Sequence, residues 1–138
     1  MTPRNTSTGA VLEAMVLPAL DRGGYTYQTQ VRVGTRCGGG VHKADAVARK
    51  GSEQILISLK WQQVGGTAEQ KVPFEVMCLA DAVRNGDAQR ACLVLGGDGW
   101  TLRDYYTSGG LGEHLKFADL VRVVTLEAFI RMANNGQL

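Results

Sequence analysis

At 138 residues the chain has the length of one domain, residues 1–138, with room for a core that needs no staples. Its 44% hydrophobic and 20% charged residues are ordinary for a globular protein, which excludes a low-complexity or fibrous chain, and no apolar run is long enough to cross a bilayer. The formal net charge of +2 permits nucleic-acid binding without demanding it.

In chain order, residues 8–20 have helical periodicity, with Leu12, Met15, Val16, Ala19 and Leu20 as the apolar stripe and Thr8 as the expected N-cap. Pro18 is expected to bend or shorten this helix. Glu13 interrupts the apolar residues, so the segment reads as a helix of the mature protein rather than a leader. Residues 25–33 alternate as a strand, and GTRCGGG follows as a turn or loop. Residues 43–49 form the second strand, 50–53 a turn, and 54–61 the third strand.

The next helix is expected to start near Lys71, which places Pro73 in its first turn, and to end at Asn85-Gly86. Residues 91–95 (ACLVL) read as a strand buried on both faces. A short helix broken at residues 108–110 falls within 101–116. A last strand, 121–125, leads into a last helix, 126–134, with Thr125 as its N-cap. The expected fold is α/β, a mixed central sheet of about five strands flanked by helices.

The chemistry gathers in the second and third strands. Ser58, Lys60 and Gln62 fall on one face of the third strand, and Ile55, Ile57 and Leu59 on the other. A lysine on the polar side of an apolar strand is costly without a partner. Asp45, on the neighbouring strand, is the candidate partner, although Asp is disfavoured in strands and is also found at strand ends facing water. Asp and Lys around a divalent metal form a phosphodiester-cleaving arrangement.

Other signals are weaker. The glycine clusters at 38–40 and 96–99 match no phosphate-binding loop and read as tight turns. His42 and His114 are isolated, so metal binding through them is not expected. Arg49 and Lys71 are candidate phosphate contacts, but single basic residues are usually just solvated. Cys37, Cys78 and Cys92 lack a zinc-like spacing, and their odd number fits a reducing cytoplasm better than a disulfide framework.

With Asp45, Lys60 and the tail WQQVGGTAEQKVPFEV, the stretch from His42 to Val76 resembles the PD-(D/E)xK nuclease superfamily, which has the restriction-endonuclease-like fold. Asp45 matches the pattern's Asp and Lys60 its Lys, while Ser58 stands where an acidic residue is expected. The resemblance implies that Lys60 activates water and stabilises the pentavalent phosphorus, that the Leu59 carbonyl is a metal ligand, and that Gln62 supports the site. Some members carry the displaced carboxylate on the following helix, where Glu69 and Glu75 are candidates. A first-helix Glu often reaches the metal, which adds Glu13.

Glu69 is the preferred ligand. Glu75, placed in a first helical turn, is also explained by the helix dipole. The metal set is therefore Asp45, Glu69, Glu13 and the Leu59 carbonyl around Mg²⁺, with Mn²⁺ as a substitute. The expected function is a metal-dependent DNA endonuclease acting as a homodimer, one active site per strand. The alternative is a catalytically inactive DNA- or protein-binding module on the same fold, for which Ser58 is the main support.

Overall fold

The computed structural model describes residues 6–35 and 37–138; Arg36, in the expected first loop, lies outside them. The described residues open with α1 (Thr6–Val11), a π-helical turn (Leu12–Val16) and α2 (Leu17–Arg22). Pro18 explains the wide turn. It has no N–H for the carbonyl of Ala14, and its ring crowds that carbonyl. The backbone widens just before it, so that the Leu17 amide bonds the Leu12 carbonyl five residues back. Thr8 lies inside α1 rather than capping it.

Five strands form one sheet in the order β1 (Thr26–Thr35), β2 (Val41–Lys50), β3 (Glu53–Trp61), β4 (Arg90–Gly96) and β5 (Val121–Thr125). The first three are an antiparallel meander, and β3, β4 and β5 run parallel. Each parallel connection needs a crossover. These are α3 (Ala68–Arg84), and then α4 (Arg103–Thr107) with two 3₁₀ turns, Gly110–Glu113 and Ala118–Leu120. The chain ends in α5 (Leu126–Asn134), where the Thr125 hydroxyl accepts the Ala128 amide as an N-cap.

The sheet is covered on both faces. Under α3 and α4, Val47, Leu56, Leu93 and Leu95 pack with Val72, Val76, Leu79 and Tyr106. On the opposite face Ile55, Ile57, Leu59 and Val94 pack with Val16, Leu20 and Phe129. Double coverage explains why β3 and β4 are so apolar. Phe129 is fully buried, and truncating it to Ala would cost about 3–5 kcal/mol.

α3 begins at Ala68, three residues before the expected Lys71, and Pro73 lies inside it. Pro73 leaves the Glu69 carbonyl without its helical donor. The Tyr106 hydroxyl supplies one, donating to that carbonyl at 2.8 Å. Glu75 therefore sits in the second turn, beyond the reach of a first-turn dipole explanation. The glycine cluster after β4 makes a close approach to the end of β3. A side chain on Gly97 would lie 2.4 Å from the Gln62 carbonyl oxygen, and one on Gly99 would lie 2.5 Å from the Val64 backbone.

Candidate active site

The β2–β3 ladder runs from Lys50↔Glu53 to Ala46↔Ile57 and stops there. β3 continues against β4 as far as Trp61↔Gly96, while β2 stays with β1. Asp45 occupies the fork. Its Oδ2 accepts the Leu59 main-chain amide at 2.7 Å, taking the place of a ladder carbonyl. The N–H and C=O of one strand residue face the same side, so the Leu59 carbonyl also faces the fork.

Lys60 and Ser58 share a face of β3 with Leu56, the face beneath α3. The Lys60 ammonium acts on both Asp45 and Glu75. Glu75 arrives from α3, between Val72 and Val76 on the stripe that packs against the sheet. It is 9% exposed. Its Oε2 lies 3.2 Å from Nε2 of His42, which is 2% exposed, and the Ser58 hydroxyl lies against the same carboxylate. His42 Nδ1 has no hydrogen-bond partner among the described residues.

The two carboxylates titrate in opposite directions. Burial pushes the Asp45 carboxyl up, and the Leu59 amide, Lys60 and the Gln30 amide only partly restore its charged form, while Glu75 opposes it. Burial also acts against Glu75, but the His42 hydrogen bond, Lys60 and Ser58 outweigh it and hold its carboxyl below the usual range. The charge on Asp45 is thus under-compensated within the protein.

Glu69, Gln62 and Glu13 have surroundings of their own. Glu69 Oε2 accepts the Thr101 and Leu102 amides, each at 2.6 Å, and Oε1 accepts the Thr101 hydroxyl at 2.8 Å. These bonds, led by that from Leu102, hold its carboxyl low and tie it to the turn before α4. Gln62 donates from Nε2 to the Gly99 carbonyl at 2.7 Å, and its own backbone bonds Gly96 and Gly99, so it fastens β3 to the 96–99 turn. Glu13 is exposed on the π-helical turn, where it lines a cleft with Leu17, Thr29 and Gln30.

The site residues that the sequence did not bring forward are His42 and Gln30. His42 is separated from Glu75 by 33 positions, so no local spacing joins them. His42 precedes the strand expected over 43–49, and alternation sets it on the opposite face from Asp45, so no sequence signal marks it. Among the described residues no group of three His, Cys, Asp or Glu is gathered closely enough to hold a metal ion. The site offers two carboxylates and a main-chain oxygen, beside a lysine.

A family model for the PD-(D/E)XK nuclease superfamily domain matches residues 4–137. A crystal structure of a protein of unknown function, AF1548, shares the fold with a TM-score of 0.52 at 17% identity. The match covers 80% of this chain and 54% of that one, so the chain spans about half the length of that structure. No curated protein matches. The mixed five-stranded sheet flanked by helices is the restriction-endonuclease-like fold, and the chain belongs to the PD-(D/E)XK nuclease superfamily.

Proposed function

We propose that the protein is a metal-dependent DNA endonuclease whose site is built from Asp45, Glu75, the Leu59 carbonyl and Lys60. The observation that carries this reading is the position of Glu75. It enters from α3 against Ser58, the residue standing where the family pattern has its second carboxylate. The donor set fits a hard divalent cation such as Mg²⁺ or Mn²⁺, which takes carboxylate and carbonyl oxygens. A buried carboxylate whose charge is under-compensated favours such a cation nearby. When bound, the ion supplies Lewis acidity toward a phosphate oxygen and lowers the pKa of water.

The chain's own residues do the rest. The Leu59 amide fixes the Asp45 carboxylate in the fork, and His42 holds Glu75. The Lys60 ammonium acts on both carboxylates, and its role is to orient the attacking water and meet the charge that develops on phosphorus. We take Glu75 rather than Glu69 as the second acidic ligand, because both Glu69 oxygens are engaged by Thr101 and Leu102.

Duplex DNA is the proposed substrate, with two copies of the chain cutting two strands. Three free cysteines suit a reducing compartment such as the cytoplasm, and no helix among the described residues is long and apolar enough to cross a membrane. A second reading, an inactive DNA- or protein-binding module, draws on Ser58 in place of a carboxylate and on the lack, among the described residues, of a cluster of three His, Cys, Asp or Glu.

Incubation of supercoiled plasmid with the purified protein and Mg²⁺ or Mn²⁺ separates the two readings. Nicking that is abolished by chelator and by Asp45→Ala, Glu75→Ala and Lys60→Ala is expected. No cleavage of supercoiled, linear or branched DNA supports the binding module.

A further inference from the structure

Gln30 is one of two non-glycine residues with positive φ among those described, at +53°. It lies in the middle of β1, where left-handed backbone costs about 1–3 kcal/mol for an ordinary side chain. Its position is not arbitrary. The β1–β2 register pairs Thr29 with Ala46 and Val31 with Ala44, so Gln30 stands opposite Asp45, and the ladder skips that one pair.

The skipped pair is also where the strands turn over. Tyr25 and Tyr27 pack on the α5 side of the sheet, whereas Val31 and Val33, which have the same parity, pack on the α3 side. In β2, Ala48 and Ala46 belong to the α5 side and Ala44 to the α3 side. This reversal brings His42 and Asp45, three residues apart, to the same end of α3, and both act on Glu75.

Reversal alone would be served best by glycine, which adopts positive φ without strain. Nine other described positions with positive φ are glycine. At this one the chain keeps an exposed carboxamide side chain, directly across the ladder from Asp45, whose Oδ2 already holds the Leu59 amide. The other non-glycine case is similar: Phe117, at +64°, stacks its ring 3.8 Å from the Arg84 guanidinium. There strain is tolerated where a side chain has a charged partner.

We propose that Gln30 is a positioning residue for Asp45, held in left-handed backbone so that its carboxamide N–H donates to that carboxylate from the exposed side of the fork. Leu59 fixes one oxygen from within the sheet, and Gln30 restrains the group from the solvent side. This assignment deepens the nuclease reading and rests on it only for its consequence in metal binding.

The test uses the intact chain with Gln30→Gly and Gln30→Asn. Glycine removes both strain and amide, whereas asparagine tolerates left-handed backbone and keeps a shorter carboxamide. Gln30→Gly is expected to raise the urea midpoint yet weaken Mn²⁺ binding about 10-fold by calorimetry, as loss of an outer-shell partner does. Gln30→Asn is expected to recover part of that affinity. Unchanged Mn²⁺ affinity in Gln30→Gly overturns the proposal, because a purely structural turn would behave that way.

A second readout needs no metal. The Gln30 side-chain amide proton resonances should move on Asp45→Asn in metal-free protein, and resonances that stay in place also overturn the proposal. Shifted resonances in a wild-type protein that binds no Mn²⁺ would support the Gln30–Asp45 contact and defeat the nuclease reading instead.

Discussion

His42 Nε2 stands 3.2 Å from Glu75 Oε2, and the two side chains meet almost out of contact with water, 33 positions apart in the chain. Ionised Glu75 can only accept, so the ring donates from Nε2. Metal-ligating carboxylates are commonly held by such partners. His42→Ala is expected to destabilise the fold by about 2 kcal/mol, as loss of a hydrogen bond to a charged group does. It should also weaken Mn²⁺ binding about 10-fold. Urea unfolding and calorimetry check both. Stability lost with Mn²⁺ affinity intact would reduce His42 to a packing role.

Asp45→Asn should make the protein more stable while removing the proposed cleavage activity. Folding raises the Asp45 pKa, chiefly through burial, so its contribution to stability is fully present below the unfolded value of about 3.9 and is lost as pH rises through the folded value. Asparagine is neutral throughout and keeps an oxygen for the Leu59 amide. The variant should therefore melt above wild type at pH 7, and the gap should close on acidification. A variant that melts below wild type at neutral pH would contradict the burial argument.

Glu69 and Glu75 should separate cleanly. Both carboxyls are held low in the folded protein, so each contributes stability above the ordinary Glu range that is lost as pH falls through its folded value. Glu69→Gln is expected to lower Tm at pH 7, with the deficit shrinking in acid, and to leave Mn²⁺ affinity unchanged. Glu75→Gln should also lower Tm but abolish Mn²⁺ binding. Loss of binding in Glu69→Gln alone would restore the assignment expected from the sequence.

The legible parts of this molecule are the local ones. Alternation along β3 puts Ser58 and Lys60 on one face because the strand period is two, and the Thr125 cap follows from residue type and spacing. The long-range relationships were not legible. Pro73 looks like a first-turn residue unless Tyr106, 33 positions later, is known to satisfy the carbonyl it orphans. Placing the helix start three residues late moved Glu75 into the dipole's reach and made Glu69 the more attractive ligand. His42 looked isolated because its partner is on another element, and Gln30 carried no sign of its backbone conformation.

The start of α3 at Ala68 can be probed by a double-mutant cycle. Tyr106→Phe removes the hydroxyl that donates to the Glu69 carbonyl at 2.8 Å, and the change should cost about 1–3 kcal/mol because it leaves a buried acceptor unpaired. Pro73→Ala restores a helical N–H to the same carbonyl. In the Pro73→Ala background the penalty of Tyr106→Phe should therefore shrink by more than the few tenths of a kcal/mol expected for independent sites. Four urea titrations measure the coupling. Strictly additive effects would mean that Tyr106 and Pro73 do not share that carbonyl, and the early start of α3 at Ala68 would need another cause.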